Sequence, residues 1–478
     1  IVHVGSKLYR RFLSNVIRIV IQREPNMDNT TPNLATDRAP RLPRIVIVGG
    51  GAGGLHLATR LGDTVGRRGQ AEVVLVDRYP THFWKPLLHE AASGHRDPAS
   101  HTIEYAAQAK RHGFRFVQGA LQQVDRAART ATIAAVQDAD GTEILPQREL
   151  GYDDLVLAVG SVTNFFNVPG AERHALPLEN LDQAEDFRRK FLAACTKANH
   201  QAEQQPARRA APICINVIGA GATGVELAAA LRDAIQQLTT YRFKALVSAR
   251  DVHIRLIEGG PRILPALDAR LSGKMHAQLR ALNVDVLTDT RVAEVGADAV
   301  TTSTGERLAS DITIWAAGVA GPAFLRQIGD IALNRSNQVI VTDTLQTPDD
   351  PHVYAFGDCA ACPTGGANGF LPPRAQVAHQ QAVYLVNAFA RRIAGKPVDG
   401  FTFRDAGTVV SLGHAGAVYQ ADISVRSRSL IVDGLAAIGL YKFLYRKHLF
   451  SVVGVKRALF QSLSHWLQSR NQPSIKLH

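Results

Sequence analysis

Two glycine turns, and the acids that follow them, are the residues best placed to do chemistry. The stretch Arg44-Ile-Val-Ile-Val-Gly-Gly-Gly-Ala-Gly-Gly-Leu55 carries Gly49, Gly51 and Gly54 at G-x-G-x-x-G spacing. An apolar run (Ile45 to Val48) precedes the glycines and a helix-like segment (Leu55, Leu57, Ala58, Leu61) follows them. The first glycine permits a tight turn, the second lets backbone approach a pyrophosphate, and the third lets helix and strand pack closely. The pyrophosphate would then rest on the positive end of the helix. A second apolar run, Ala71 to Val76, ends at Asp77, whose carboxylate can accept hydrogen bonds from a ribose diol. The pattern recurs at Ile215-Asn-Val-Ile-Gly-Ala-Gly-Ala-Thr-Gly224, with Gly219, Gly221 and Gly224, and the run Val252 to Ile257 ends at Glu258. An acid there suits the adenosine ribose hydroxyls and repels a 2′-phosphate, which favours NADH over NADPH. Arg262 argues the other way, because an arginine can accommodate that phosphate. Glu226, in the first turn of the second helix, is either a carboxylate stabilised by the helix dipole or a group facing a nicotinamide or flavin ring.

Other segments return to these turns. His82-Phe-Trp-Lys-Pro-Leu-Leu-His-Glu90 follows Asp77 and can cover an aromatic cofactor ring, with Lys85 near a ring nitrogen or carbonyl; a packed loop with a solvated lysine is the bland alternative. Tyr152 to Ser161 reads as a buried strand ending at Gly160, and Asp311 to Gly318 closes the second unit in the same way. Asp350-Pro-His-Val-Tyr-Ala-Phe-Gly-Asp358 is a strand followed by Gly-Asp, a position from which Asp358 would meet the ribityl hydroxyls of a flavin. Cys359-Ala-Ala-Cys362 follows and reads either as a redox dithiol or as structural cysteines. No further paired ligands accompany it, so no metal is expected. In Pro372-Pro-Arg-Ala-Gln-Val-Ala-His-Gln-Gln381, proline suits a first helical turn, and Gln376 and Gln380 share one face. That amide pair can hydrogen-bond quinone carbonyls without bringing charge into an apolar pocket.

The elements that must position these residues fit in a chain of 478 residues, 46% of them hydrophobic, with only four cysteines and a net charge of +12. Two or three domains and no disulfide framework are expected. The charge is concentrated at the ends: residues 1–26 are Arg-rich, and residues 434–478 hold seven Lys or Arg and no acid. Residue 1 is Ile and the first Met is Met27, so residues 1–26 read as upstream of the start or part of a longer precursor, with a transit peptide as the alternative. Residues 28–43 look like a disordered leader. Gly434 to Arg470 reads as two amphipathic helices. The second has a stripe of Val452, Val455, Leu459, Leu463 and Trp466, with Lys456 near it and Lys442, Arg446 and Lys447 on the helix before. An apolar stripe with only positive charge describes attachment to an anionic membrane surface rather than nucleic-acid binding. Docking on the body or on a second subunit, as in a homodimer, is the alternative. No apolar run is long enough to span a bilayer.

With these residues assembled, the chain resembles the type II NADH:quinone oxidoreductases over roughly residues 44–478. The resemblance is most specific at Ile215–Glu226, Arg262–Leu267, Val353–Pro363, Pro372–Gln381 and the closing Lys476-Leu-His, and looser at His82–Glu90. It implies an α/β fold with two Rossmann-like dinucleotide-binding domains, the second inserted in the first, and a C-terminal amphipathic helical region that anchors to a membrane. The expected boundaries are 1–43 (leader), 44–168 and 319–400 (FAD), 169–318 (NADH) and 401–478 (membrane-binding region). It also implies hydride transfer from NADH to bound FAD and two-electron reduction of a membrane quinone without proton pumping. Gln376 and Gln380 would line the quinone site of a peripheral protein on the cytoplasmic face of a bacterial membrane. A flavin-dependent disulfide reductase and an NADH-sensing flavoprotein are the competing readings. The first would need a reactive cysteine pair at the flavin; the second would show slow turnover with quinone.

Overall fold

The computed structural model describes residues 41–204, 211–365, 369–423 and 428–454, together with Arg457. The leader expected before residue 41 and the tail beyond Gly454, Arg457 apart, lie outside the described residues. All elements below belong to one compact unit, Leu42–His478.

β-branched residues buried on both faces make Arg44–Val48 the centre of a six-stranded sheet rather than an edge. Glu72–Asp77 lies parallel on one side, followed by Arg115–Gln118, and Asp154–Leu157 lies parallel on the other. Next to Asp154–Leu157 comes Asp350–Ala355, parallel to it with Leu155 opposite Val353, and then Gln346–Thr347 as an antiparallel edge. The second sheet has five parallel strands in the same arrangement. Ile213–Ile218 is central, Val252–Ile257 and Val284–Leu287 lie on one side, and Ile312–Trp315 and Ala175–Pro177 on the other. All strands of the second sheet fall in sequence between Leu157 and Gln346, so the second lobe interrupts the first. In each lobe the strand order reverses at the carboxyl end of the central strand, where open α/β sheets leave a crevice for ligands.

The chain passes between lobes on two short strands that pair with each other, Val162–Thr163 with Val319–Ala320. Trp315, buried at the end of the second lobe's closing strand, ties this crossing down. Its indole Nε1 donates to the Asn164 carbonyl (2.9 Å) and the Ala317 carbonyl (2.8 Å).

An antiparallel sheet of Leu121–Asp125, Thr130–Ile133 and Arg148–Gly151 stands beside the first lobe's main sheet. Between Gly219 and Glu258 the chain forms a 20-residue helix, Ala222–Tyr241, and a short helix, Ser248–Asp251. The helix that carries Gln376 and Gln380 is Ala375–Ile393, capped by extended Arg374. Pro372 and Pro373 therefore precede the helix instead of opening its first turn.

The C-terminal region is a three-stranded antiparallel sheet (Thr408–Ser411, Ala417–Ile423, Arg428–Asp433) followed by one described helix, Gly434–Val453. Val410, Leu412 and Val418 join the second lobe's hydrophobic core. Val452, which the sequence reading placed in an outward stripe, is 1% exposed and belongs with Leu449 and Val453 to the first lobe's core. The buried Gln108 side chain holds this helix end by donating to the Val452 carbonyl. Among the described residues, no helix is long and apolar enough to cross a membrane.

Replacing Trp315 by Phe keeps a six-membered aromatic ring and removes the five-membered ring with its bridging N–H. Thermal denaturation should show a loss of at least about 1–2 kcal/mol, from buried carbonyls left a donor short and from the space the smaller ring leaves. An unchanged melting temperature would mean that this bridge does not hold the crossing.

Candidate active site

The two glycine turns match each other atom by atom. Gly49 and Gly219 have φ of +101° and +99°, a region that only glycine enters readily. A Cβ on Gly54 would lie 1.8 Å from the Gly49 carbonyl oxygen, and one on Gly224 would lie 1.9 Å from that of Gly219. Helix and strand are thus in contact through glycine in both lobes. A Cβ on Gly51 or Gly221 would meet nothing within 4 Å. Those two positions border open space at a helix start, which is what a pyrophosphate requires.

The acid after each second strand folds back on its own turn. Asp77 accepts from the backbone N–H of Gly50 (2.6 Å) and of Tyr79 (2.9 Å). Burial raises its carboxyl above the usual range, and the two N–H groups oppose that shift. Glu258 accepts from Ala220 N–H and Gly260 N–H, both at 2.8 Å. Arg262 turns away from the crevice and is spent on its own loop, donating to the Leu267 and Pro265 carbonyls (2.9 Å each).

Sequence reasoning missed how the first turn is braced from behind. The Tyr105 hydroxyl donates to the Gly50 carbonyl (2.8 Å), and His82 Nδ1 lies 2.9 Å from the same oxygen. Burial lowers the His82 imidazole to about 4, so it is neutral at pH 7 and donates from Nδ1. No period or motif marks Tyr105; only the fold brings it there.

Lys85, Ser161 and Asp358 converge from three segments. Ser161 Oγ donates to Asp358 (3.0 Å), and Lys85 Nζ lies 3.4 Å from both Ser161 oxygens. Lys85 also pairs with Glu179, which accepts from the Thr163 hydroxyl (2.9 Å). Gly160 and Gly318, at φ +71° and +69°, end the closing strands of the two lobes. The Phe166 ring, 58% exposed, covers Gly318.

Glu226, which the sequence leaves as either a dipole-stabilised carboxylate or a group facing a ring, lies in a buried polar cluster. It is 8% exposed. Its Oε1 accepts from Ser411 N–H (3.0 Å) and its Oε2 lies 3.7 Å from His89 Nδ1. Burial pushes its carboxyl up to about 8; the Ser411 N–H opposes this and the Glu90 charge adds to it.

Gln376 and Gln380 are not open amides in the described structure. Gln376 donates to Asp405 (2.9 Å) and Gly407 O (3.1 Å) and accepts from Ala406 N–H. Gln380 exchanges hydrogen bonds with both backbone groups of Arg404. A primary amide has the same donor and acceptor as a peptide group, so the pair binds the passing segment as a strand would. Gln381, next in sequence, points the other way and accepts from Gly357 N–H (2.8 Å) beside Asp358. The helix itself packs on the first dinucleotide helix: a Cβ on Gly53 would meet the Ala378 carbonyl oxygen at 2.9 Å, and the His56 and His379 rings are 4.7 Å apart.

Cys359 and Cys362 are both buried thiols, unlinked, in the first lobe's core. Burial pushes each up to about 11, so neither is a thiolate near neutral pH. The dithiol reading therefore fails on access and on ionisation. Among the described residues, no cluster could hold a metal ion.

Two duplicated dinucleotide lobes with no reactive thiol at their junction define a reductase of the two-nucleotide flavoprotein class. A family model described as pyridine nucleotide-disulphide oxidoreductase matches residues 43–382. The type II NADH:quinone oxidoreductase of Haemophilus influenzae is 36% identical over 447 residues, covering 91% of this chain and 100% of that protein. Type II NADH:quinone oxidoreductase Ndh of Mycobacterium tuberculosis is 27% identical, covering 80% of each chain. A solved structure of NDH2 from Plasmodium falciparum in complex with NADH superimposes with a TM-score of 0.74 at 21% identity, covering 91% of this chain and 100% of that one, a likeness of fold.

The chain belongs to the type II NADH:quinone oxidoreductase family. Its activity is FAD-mediated oxidation of NADH with a membrane quinone as electron acceptor.

Replacing Cys359 and Cys362 together by Ala should leave NADH:quinone turnover within about twofold of wild type. Steady-state assays on FAD-loaded protein check this. A large loss with FAD retained would bring the dithiol back.

Proposed function

We propose the following division of labour among the residues of this chain. Gly49, Gly51, Gly54, Asp77, Gly160 and Asp358 hold FAD, with Lys85 at the ring side of the Ser161–Asp358 pair. Gly219, Gly221, Gly224, Glu258 and Gly318 hold NADH. Glu226 serves the exchange of protons rather than touching the dinucleotide. FAD supplies hydride acceptance and two-electron delivery, while the protein supplies position and electrostatics. The single observation that carries this assignment is the repeat of open second glycine, clashing third glycine and inward-folded acid in both lobes. The lobes correspond to residues 44–168 with 319–400 and to residues 169–318.

The quinone is assigned to Gln376 and Gln380. For their amides to meet quinone carbonyls, the segment Arg404–Gly407 must release them, because it uses the same donors and acceptors. The approach is from a membrane on which the region 401–478 rests. Leu435 (87% exposed), Phe443 and Arg446 share one side of the helix Gly434–Val453, an apolar and basic face suited to an anionic lipid surface. The rest of the expected stripe, beyond Gly454, lies outside the described residues. We assign the protein to the cytoplasmic face of a bacterial cell membrane, with homodimer formation as part of the same proposal.

Two variants test the nucleotide assignments. Gly51→Ala adds a methyl group where the protein has open space, so the apoprotein should melt as wild type while FAD affinity falls by about tenfold or more. Equal flavin retention in equilibrium titration would remove Gly51 from the site. Glu258→Ala should reduce the preference for NADH over NADPH in kcat/KM by roughly tenfold, whereas Arg262→Ala should leave that preference where it was, because its guanidinium is already committed. The reverse pattern would reassign specificity to Arg262.

A further inference from the structure

The two lobes follow one pattern as far as a single glycine, and there they differ. Leu157 lies opposite Val48 in the first lobe, and Trp315 lies opposite Ile218 in the second. One residue further on, the Ala158 N–H donates to the Val48 carbonyl and the Ala316 N–H to the Ile218 carbonyl, both at 2.8 Å. Gly160 and Gly318 are therefore counterparts, and their φ values of +71° and +69° agree. A Cβ on Gly160 would meet nothing within 4 Å. A Cβ on Gly318 would lie 2.3 Å and 2.6 Å from Cζ and Cε2 of the Phe166 ring. The lobe assigned to the resident cofactor is open at this point, whereas the lobe assigned to the substrate is walled by an aromatic side chain.

The chain holds that ring outward. Phe166 is 58% exposed. Phe166 and Asn167 are consecutive non-glycine residues in the left-handed region, at φ +51° and +56°. A bulky side chain rarely adopts that backbone, and it persists only where the surroundings over-determine it. Here the Phe166 N–H donates to the Asn164 side-chain oxygen (2.9 Å), and the Asn164 N–H donates to the Gly318 carbonyl (3.3 Å). Phe165 packs on Trp315, with ring centroids 5.6 Å apart. One phenylalanine thus anchors the crossing, and the next is left over Gly318 with most of its surface in water. A planar aromatic ligand would cover such a ring favourably.

The place of the ring selects the part of the dinucleotide that it meets. Glu258, assigned to the adenosine ribose, ends Val252–Ile257 on one side of the central strand. Gly318 follows Ile312–Trp315 on the other side. A pyrophosphate at Gly221 lies between them, so the nicotinamide half falls on the Gly318 side. The same side faces the crossing to the first lobe. Thr163 pairs with Val319, and its hydroxyl donates to Glu179, the partner of Lys85 beside Ser161 and Asp358.

We propose that Phe166 forms an aromatic wall for the nicotinamide half of NADH, packing its ring against the nicotinamide riboside. The inference rests on the NADH assignment made above. The first lobe keeps its dinucleotide and has no such wall at Gly160. The second must capture and release one in every turnover.

The test follows anaerobic flavin reduction by NADH in stopped flow, with ADP-ribose as inhibitor. ADP-ribose carries the adenosine, the pyrophosphate and the second ribose but no nicotinamide ring. Phe166→Ala should raise the half-saturating NADH concentration by about fivefold or more, within the range for loss of an aromatic pair. Its inhibition constant for ADP-ribose should stay within about twofold of wild type. Phe166→Tyr, which keeps the ring, should bind NADH within about twofold of wild type.

An unchanged half-saturating concentration in Phe166→Ala overturns the proposal. So does an equal weakening of NADH and ADP-ribose, or a Phe166→Tyr protein as weak as Phe166→Ala. If Phe166→Ala loses FAD or melts early, Phe166→Leu, which keeps bulk without the ring, takes its place under the same expectations. Wild-type flavin reduction that ADP-ribose does not inhibit would instead overturn the NADH assignment on which the inference rests.

Discussion

A carboxylate folded back onto the backbone of a glycine turn is the constraint on which both nucleotide sites depend. Asp77 and Glu258 end equivalent strands and accept from the equivalent amides of Gly50 and Ala220. Each such bond fixes a stretch of chain that, being rich in glycine, has little conformational preference of its own. A carboxylate has about four acceptor positions, so each acid can hold its turn and still receive a ribose diol. Under the proposed assignment the acid is both part of the scaffold and part of the binding surface. Tyr105 and His82 brace the first turn from its other side through the Gly50 carbonyl, which leaves the open face at Gly51 clear.

The remaining architecture places these two turns relative to each other. The second lobe leaves and rejoins the first through a single pair of short strands, pinned by the Trp315 indole. The C-terminal region then bridges the lobes. Its sheet shares the second lobe's core and its helix ends in the first lobe's core. Glu226 sits at that junction, bonded to Ser411 of the C-terminal sheet and facing His89 of the short helix Leu88–Ser93 that follows Asp77. An acid held neutral by burial at such a junction can respond to all three parts.

Much of this was legible in the residue order. Both glycine turns, the strands before them and the acids after them follow from local spacing and apolar runs, and the interruption of one lobe by the other is what the family resemblance implies. Those signals operate over a few residues, and the duplication made each copy evidence for the other. The expected strand Val252 to Ile257 is the observed one. Errors arose where a residue's partner is remote. Val452 fits an outward stripe by helical period, yet it is buried because Gln108 and the first lobe's core cover that face. The helix start slipped by three residues because Arg374, not proline, supplies the extended cap.

The sequence by itself determined the chemistry: which backbone can approach a pyrophosphate, which acids can meet a ribose and repel a phosphate, and which thiols are too few to form a framework. Tertiary structure decided what each of those groups is free to do. Arg262 is near Glu258 in sequence but is consumed by carbonyls of its own loop. Cys359 and Cys362 have redox spacing but no access and no thiolate. Gln376 and Gln380 share a face, and what occupies that face is a segment about 25 to 30 residues further on. The physical reason is the same throughout. A side chain's chemical type is local, whereas its ionisation and its hydrogen-bond partners depend on burial by groups distant in the chain.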